Sequence, residues 1–212
     1  MKFLSFTVGP FQENTYLVIK GDEALLIDPG FSTNSEFVTM REALEASGAE
    51  LKHILLTHAH IDHTLGLNVA LHRYEVPVWL NHSDLTVWEN SESQAAMFGI
   101  RAGGFSFTPR PLEELDSLEL GSFTLTTLFT PGHSPDHISI YFKEAETLIA
   151  GDALFRESIG RTDLYGGDAG VLADSIREKL YTLPDETRVL PGHGPETTIG
   201  HEKVNNPFVT AG

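Results

Sequence analysis

The stretch Thr57-His58-Ala59-His60-Ile61-Asp62-His63 decides the fold of this chain. It follows the apolar run Ile54-Leu55-Leu56, which predicts a buried strand that ends where imidazoles and a carboxylate are concentrated. Histidine and aspartate at this density are typical of metal ligands. The strand followed by this loop therefore predicts a metal site rather than a solvated polar loop.

Three later apolar segments also end in a residue that can bind a metal. The segments ending at Phe129, Ala150 and Leu190 are followed by His133, Asp152 and His193, each directly preceded by glycine. Glycine lets the backbone approach a site closely, and ligands at strand ends are expected at one rim of a sheet. The repetition predicts one α/β site built from several strand ends.

Composition limits the classes of protein that the chain can represent. A length of 212 residues fits a single domain spanning 1–212, and a formal net charge of -16 argues against nucleic acid or an anionic membrane as a partner. The absence of cysteine excludes disulfides and thiolate ligands, so any metal is held by nitrogen and oxygen. With no signal-peptide core and no apolar run of about 18 residues, we expect a cytoplasmic protein.

The pattern of apolar residues and turn signals predicts two series of strands and helices. The first predicted series contains strands at 2–8, 15–19, 24–27, 53–57 and 76–80, a helix at 34–47 capped by Ser32 or Asn34, and a helix starting at Asp62. The second contains strands at 123–129, 138–142, 147–150 and 188–190 and a helix at 168–182. Residues 82–115 lack a clear period in their apolar residues. We interpret them as a segment that packs between layers, and leave open that part of it faces the substrate.

Two features leave alternatives open. Asp28 ends a predicted strand, where it either forms a turn or orients the ligand loop. A strand, a polar turn and a strand ending in an acid occur before Asp28 and again before Asp152. This echo indicates either two similar halves or the ordinary likeness of hairpins.

The HxHxDH motif with the distant Gly-His, Gly-Asp and Gly-His pairs resembles the metallo-β-lactamase fold superfamily over essentially the whole chain. The resemblance implies a four-layer αββα sandwich of two similar halves, with the metal site at one edge. It also implies two divalent metal ions, zinc first and iron or manganese as alternatives. One ion is expected on His58, His60 and His133, the other on Asp62, His63 and His193, with Asp152 as the bridge.

Gly160-Arg161-Thr162-Asp163, Pro191-Gly192-His193-Gly194-Pro195 and Asn206-Pro207-Phe208 resemble the short single-domain branch of the glyoxalase II (hydroxyacylglutathione hydrolase) group. That resemblance implies hydrolysis of a small-molecule thioester such as S-lactoylglutathione by a metal-bridging hydroxide. Asp62 is then expected to handle the proton as well as to bind metal, and Arg161 to bind an anionic end of the substrate. The sequence departs from the group in two places: few residues follow Phe208, and Pro195 stands where the group has tyrosine.

Two other functions stay open at this point. A persulfide dioxygenase with one iron held by two histidines and one aspartate shares these motifs, and such a site suits iron and O₂. A nonhydrolytic metal-binding protein belongs to a different class. Metal content, O₂ consumption and thioester hydrolysis distinguish the three.

Overall fold

The computed structural model describes residues 1–210, which divide into two compact units. The N-terminal unit contains Met1–Leu112 and Leu120–Phe123, and the C-terminal unit contains Glu113–Glu119 and, within the described part of the chain, residues 124–210. Each unit has its own sheet, helices and apolar core. The single domain across 1–212 stays a prediction.

The sheet of the N-terminal unit has six strands in chain order. They are β1 (Lys2–Val8), β2 (Glu13–Lys20), β3 (Glu23–Ile27), β4 (Glu50–Leu55), β5 (Val78–Leu80) and β6 (Arg110–Pro111). The first three strands pair antiparallel, and β3 to β6 pair parallel. The turn at Gly21-Asp22 closes the predicted hairpin, because Lys20 pairs with Glu23.

Five helices belong to the same unit: α1 (Asn34–Ser47), α2 (Ile61–Thr64), α3 (Leu67–Arg73), α4 (Thr86–Glu89) and α5 (Ser91–Met97). The predicted caps of α1 are wrong by one residue. Thr33 is the N-cap, because its side chain accepts from the backbone of Glu36 while the Glu36 carboxylate accepts from the backbone of Thr33. Gly48 ends the helix in the left-handed conformation, as its position predicts.

The sheet of the C-terminal unit also has six strands, in the order β14-β13-β10-β9-β8-β7. The strands and helices are β7 (Leu115–Leu120), β8 (Phe123–Phe129), β9 (Ile138–Phe142), β10 (Thr147–Gly151), the small hairpin of β11 (Leu154–Phe155) and β12 (Ser158–Ile159), α6 (Ala169–Ser175), β13 (Arg188–Pro191), β14 (Thr197–Thr198) and α7 (Ile199–Asn205). The predicted helix at 168–182 is α6 followed by a π-helical turn over Ile176–Leu180.

The two sheets repeat one pairing pattern. Strands β1 to β4 are joined by two antiparallel pairings and one parallel pairing, and β8, β9, β10 and β13 are joined in the same way. Asp28 follows β3 and Asp152 follows β10 at equivalent places in this pattern. The predicted similarity of the two halves is therefore present in the topology.

Each unit encloses a separate core. Side chains of β2, β3, β4 and α1 fill the first, and side chains of β10, α6 and the π-helical turn fill the second. In the segment 82–115, Trp88 stacks on Phe105 at 4.1 Å between ring centroids, and Phe105 and Phe107 pack against the first core. That part of the segment is packing, as predicted.

No helix within residues 1–210 combines the length and the apolar character that crossing a membrane requires.

Candidate metal centre

The loop after β4 brings its imidazoles into contact within the N-terminal unit. The ring centroid of His58 lies 4.7 Å from that of His60 and 4.2 Å from that of His63. All three side chains are buried, whereas Asp62 is partly exposed, and its Oδ2 lies 3.9 Å from Nε2 of His63. We call His58, His60, Asp62 and His63 the N-terminal ligand cluster.

Asp28 supports this cluster through hydrogen bonds of its carboxylate. Its carboxylate accepts from the backbone N–H of Thr57 at 2.7 Å and from the Thr57 hydroxyl at 2.6 Å. It also lies 3.0 Å from Nδ1 of His63. Asp28 is buried and has a positive φ of 49°, a conformation that costs energy for a residue other than glycine. Of the two readings of Asp28, the structure supports the one in which it orients the ligand loop.

The hydrogen bonds imply which ring nitrogens carry protons. Because the Thr57 hydroxyl donates to Asp28, its oxygen accepts from Nδ1 of His58 at 3.0 Å. Nδ1 of His63 donates to Asp28 in the same manner. A proton on Nδ1 leaves Nε2 as the nitrogen of each ring suited to bind a metal.

Glu13 is a second buried acid beside the cluster. One of its oxygens accepts from the Thr15 hydroxyl at 2.8 Å, and the other lies 3.9 Å from Nδ1 of His63. Burial raises the pKa of Glu13 well above its ordinary value. The sequence analysis missed this residue, because an acid at the start of a strand carries no signal of its burial.

The C-terminal unit gathers the remaining predicted ligands at one sheet edge. Strands β10 and β13 are parallel neighbours, and β8 runs in the same direction, so the residues after all three strands lie at the same edge. Oδ2 of Asp152 lies 3.5 Å from Nε2 of His133 and 3.5 Å from Nε2 of His193. We call His133, Asp152 and His193 the C-terminal ligand cluster.

A hydrogen-bonded chain of buried side chains lies behind Asp152. The backbone N–H of Asp152 donates to Nε2 of His137 at 3.0 Å, and Nδ1 of His137 lies 2.8 Å from the hydroxyl of Thr130. The Thr130 hydroxyl lies 2.9 Å from that of Ser139. His137 therefore positions the backbone of Asp152.

The loop at Arg161 supports His133 through its backbone. Nδ1 of His133 donates to the carbonyl of Arg161 at 2.7 Å, which again leaves Nε2 as the ligand nitrogen. A Cβ at Gly160 would collide with the carbonyl oxygen of Asp152 and lie 3.0 Å from Nδ1 of His133. Gly160 is therefore required for the close approach of this loop.

The Arg161 side chain is engaged by Asp163. Its Nε and one terminal nitrogen donate to the two Asp163 oxygens at 2.7 and 2.8 Å. This pair lowers the pKa of Asp163 to about 2 and raises that of Arg161. A role of Arg161 in substrate binding stays a prediction, and its charge is already offset by a neighbour.

Both clusters fit metal binding by the chemistry of their donors. They offer imidazole nitrogens and carboxylate oxygens, the set that zinc, iron and manganese accept in proteins. Nδ1 of His58, His63 and His133 is occupied by a hydroxyl, a carboxylate and a carbonyl respectively. Such partners fix the rings of metal-binding histidines. The individual ligand roles predicted from the sequence remain proposals.

Comparison with known proteins identifies the class. The family model of the Metallo-beta-lactamase superfamily matches residues 8–193, and the chain belongs to that superfamily. The mixed α/β fold with helix-flanked sheets agrees with this membership and confirms the predicted fold class.

Two relatives are similar over nearly their whole length. Probable metallo-hydrolase YqgX of Bacillus subtilis is 41% identical over 214 residues, which cover 99% of this chain and 98% of that protein. Hydroxyacylglutathione hydrolase GloC of Haemophilus influenzae is 36% identical over 207 residues, 96% of each protein. The chain is thus a metallo-hydrolase of the superfamily in the general sense.

Solved structures agree with this placement. BLEG-1 B3 metallo-beta-lactamase is 36% identical with a TM-score of 0.90, covering 99% of this chain and 100% of that one. TTHA1623 in a di-iron-bound form is 40% identical with a TM-score of 0.87, covering 97% and 100%. ETHE1 from Myxococcus xanthus is 29% identical with a TM-score of 0.78, covering 98% and 84%.

Proposed function

We propose that this protein hydrolyses a small-molecule thioester, with S-lactoylglutathione as the substrate to test, at a centre of two divalent metal ions. The observation that carries the proposal is the state of the histidine rings in the two clusters. A hydrogen bond at Nδ1 of His58, His63 and His133 fixes each ring with Nε2 as its ligand atom. The similarity to GloC supports a thioester of this type as the substrate.

The residues of the chain have distinct tasks in this proposal. His58, His60 and His133 hold one metal ion, Asp62, His63 and His193 hold the second, and Asp152 serves both. When bound, the two ions lower the pKa of a water molecule and polarise the carbonyl that it attacks. Asp62 is the cluster acid with the greater solvent access, so its Oδ2 is suited to accept the proton of the attacking water.

Zinc is the first choice of metal, since a hydrolase needs no redox change. Iron is the alternative, supported by the di-iron form of TTHA1623. Elemental analysis of purified protein decides between them, and about two ions per chain are expected at full occupancy.

Hydrolysis of S-lactoylglutathione, followed through the thiol released, tests the reaction. Metal-loaded wild-type protein should turn over this thioester, and Asp152→Asn should lose metal and activity together. Ser122→Ala, on an exposed turn, is the matched control and should keep both. Full occupancy by two ions with no thioester hydrolysis would overturn the proposed substrate class.

β-Lactam hydrolysis is a second candidate, favoured by the TM-score of 0.90 to BLEG-1 B3 metallo-beta-lactamase. A chromogenic cephalosporin assayed beside the thioester compares the two activities. A third assay, O₂ consumption with a persulfide, tests the dioxygenase alternative. A single bound iron with O₂ uptake would replace the hydrolase proposal by an oxidoreductase.

A further inference from the structure

A cavity of about 290 Å³ lies beside α2 in the N-terminal unit. Phe31, Ile61, Leu65 and Phe105 form apolar walls, and Asn68 and Thr64 add polar groups. Complete ligand pockets occupy about 300 to 1,000 Å³, so this cavity suits one arm of a substrate rather than a large ligand.

Arg101 supplies the charge of this cavity. Among the residues that line it within 1–210, Arg101 is the one with a charged side chain. Arg161, Arg177 and Arg188 are ion-paired, and Arg73 and Arg110 lie over aromatic rings. The side chain of Arg101 has no hydrogen bond or ion pair within the described part of the chain. An exposed guanidinium in this state is available to bind a carboxylate through two hydrogen bonds.

The backbone around Arg101 is held on both sides. The N–H of Ile100 donates to the carbonyl of Ala95 at 2.9 Å, and the N–H of Gly104 donates to Oε1 of Glu92 at 2.7 Å. Only a few residues separate these two anchors, so the backbone at Arg101 is held beside the cavity that the residue lines. Less conformational entropy is then lost when a ligand binds.

The cavity adjoins the ligand loop. Ile61, one of its walls, stands between His60 and Asp62 in the sequence, and Thr64 directly follows His63. Because a helix with its side chains is about 10–12 Å across, a molecule against Ile61 lies on the order of 10 Å from the ligand atoms of α2. A glutathione-sized arm of three residues spans a similar distance when extended.

A neighbouring, larger cavity has the opposite charge. It measures about 640 Å³, and Glu89 and Glu92 are among its lining residues. Two carboxylates there repel an anionic arm, whereas Arg101 attracts one. The anionic end of a substrate is therefore directed to the smaller cavity.

We propose that Arg101 and the cavity beside α2 bind the carboxylate-bearing arm of the substrate, which makes Arg101 a specificity-determining residue. This inference rests on the proposed thioesterase function for the identity of the arm. It assigns substrate recognition to Arg101 in place of Arg161, whose charge is already paired with Asp163.

Steady-state kinetics with Arg101→Gln tests the assignment. KM for S-lactoylglutathione should rise roughly threefold to tenfold with kcat within about twofold, because the contact is remote from the bond that breaks. The rise should disappear for the dimethyl ester of the substrate, which lacks both carboxylates. Arg101→Lys should recover part of the loss, since it keeps the charge without the planar fork.

Two further variants make the comparison specific. Arg73→Gln removes one exposed arginine on α3 outside the cavity and should leave KM within about twofold of wild type. Arg161→Gln tests the competing residue. A rise in KM for Arg161→Gln with no change for Arg101→Gln would overturn the assignment.

Calorimetric titration with S-hexylglutathione, a thioether that cannot be hydrolysed, provides a readout independent of turnover. Wild type should bind it more tightly than Arg101→Gln by the same threefold to tenfold factor. Binding that depends on Arg101 without thioester hydrolysis would reject the proposed function and keep the cavity assignment. Hydrolysis combined with equal binding by both proteins would keep the function and reject the cavity assignment.

Discussion

Asp28 shows how much of the ligand loop depends on one side chain. A single carboxylate accepts from the Thr57 backbone, the Thr57 hydroxyl and His63. These are charge-assisted bonds in a buried place, where an unsatisfied donor is costly. The residue therefore controls the ring orientation of two histidines without being assigned as a ligand.

Asp28→Asn should lower metal affinity on the order of tenfold to a hundredfold and destabilise the fold by about 1–3 kcal/mol, because the amide nitrogen cannot accept a hydrogen bond. Metal titration and urea unfolding measure the two effects. Asp22→Asn, in the exposed turn between β2 and β3, is the matched control and should change neither. Unchanged metal affinity in Asp28→Asn would refute the orienting role.

Gly160 is the second residue with a local prediction. Gly160→Ala should reduce metal retention, since the added Cβ collides with the Asp152 carbonyl and crowds Nδ1 of His133. Gly103→Ala is the control, because a Cβ there meets nothing within 4 Å. Elemental analysis of both purified variants is the measurement. Equal metal content in the two variants would show that the loop yields to the methyl group.

The parallel strands β4, β5 and β6 of the N-terminal sheet are connected by side-chain contacts as well as by backbone hydrogen bonds. The indole N–H of Trp79 on β5 donates to Nδ1 of His53 on β4 at 3.2 Å, and the guanidinium of Arg110 on β6 lies 5.5 Å from the centre of the Trp79 ring. Burial, together with the charge of Arg110, lowers the pKa of His53. The accepted hydrogen bond requires an unprotonated Nδ1.

This arrangement predicts a pH dependence of stability. The unfolded chain binds the His53 proton at a higher pH than the folded chain does, so the free energy of unfolding decreases as pH falls below about 6.5. His53→Asn lacks this contribution. The difference in unfolding free energy between wild type and His53→Asn should therefore be larger at about pH 8 than at about pH 5. Urea denaturation at both values measures it, and parallel changes in the two proteins would contradict the prediction.

The hairpin of β11 and β12 is an element that the sequence did not indicate. Glu202 on α7 is buried and accepts from the backbone N–H of Glu157 in the hairpin turn, and the Asn206 amide donates to the carbonyl of Ser158. The Asn-Pro-Phe motif near the C-terminal end therefore fastens the hairpin that leads to Gly160. In the described structure, the motif therefore positions this hairpin.

At the scale of the whole molecule, the formal net charge of -16 acts on any charged substrate. An anionic thioester is repelled at long range, and salt screens this repulsion over a Debye length of about 10 Å at 0.1 M. Raising ionic strength from about 0.02 M to about 0.2 M should increase kcat/KM for S-lactoylglutathione by about twofold. A neutral thioester, S-lactoyl-N-acetylcysteamine, is the control and should respond much less. A decrease for the anionic substrate would mean that local attraction outweighs the net charge.

Much of the fold follows from local sequence patterns. Alternating and continuous apolar runs predicted most strands, and the spacing of Phe37, Met40 and Leu44 predicted α1 with its buried face. The pattern of strand, turn and acid left two similar halves and the ordinary likeness of hairpins open, and the strand pairing of the two sheets shows the repeat. The predicted ligand residues could be chosen from the sequence because each follows a strand end, a relation between neighbours in the chain.

Other features depend on contacts between residues distant in sequence, and only the tertiary structure decided them. The partners of Asp28 are 29 and 35 residues away, and His137 reaches the backbone of Asp152 across 15 residues. Burial of Glu13 and the unpaired state of Arg101 likewise depend on which segments pack around them. The sequence determined most of the strands, the helix α1 and the type of donor chemistry, because all three are local. The protonated ring nitrogens, the supporting acids and the charged cavity required the folded chain.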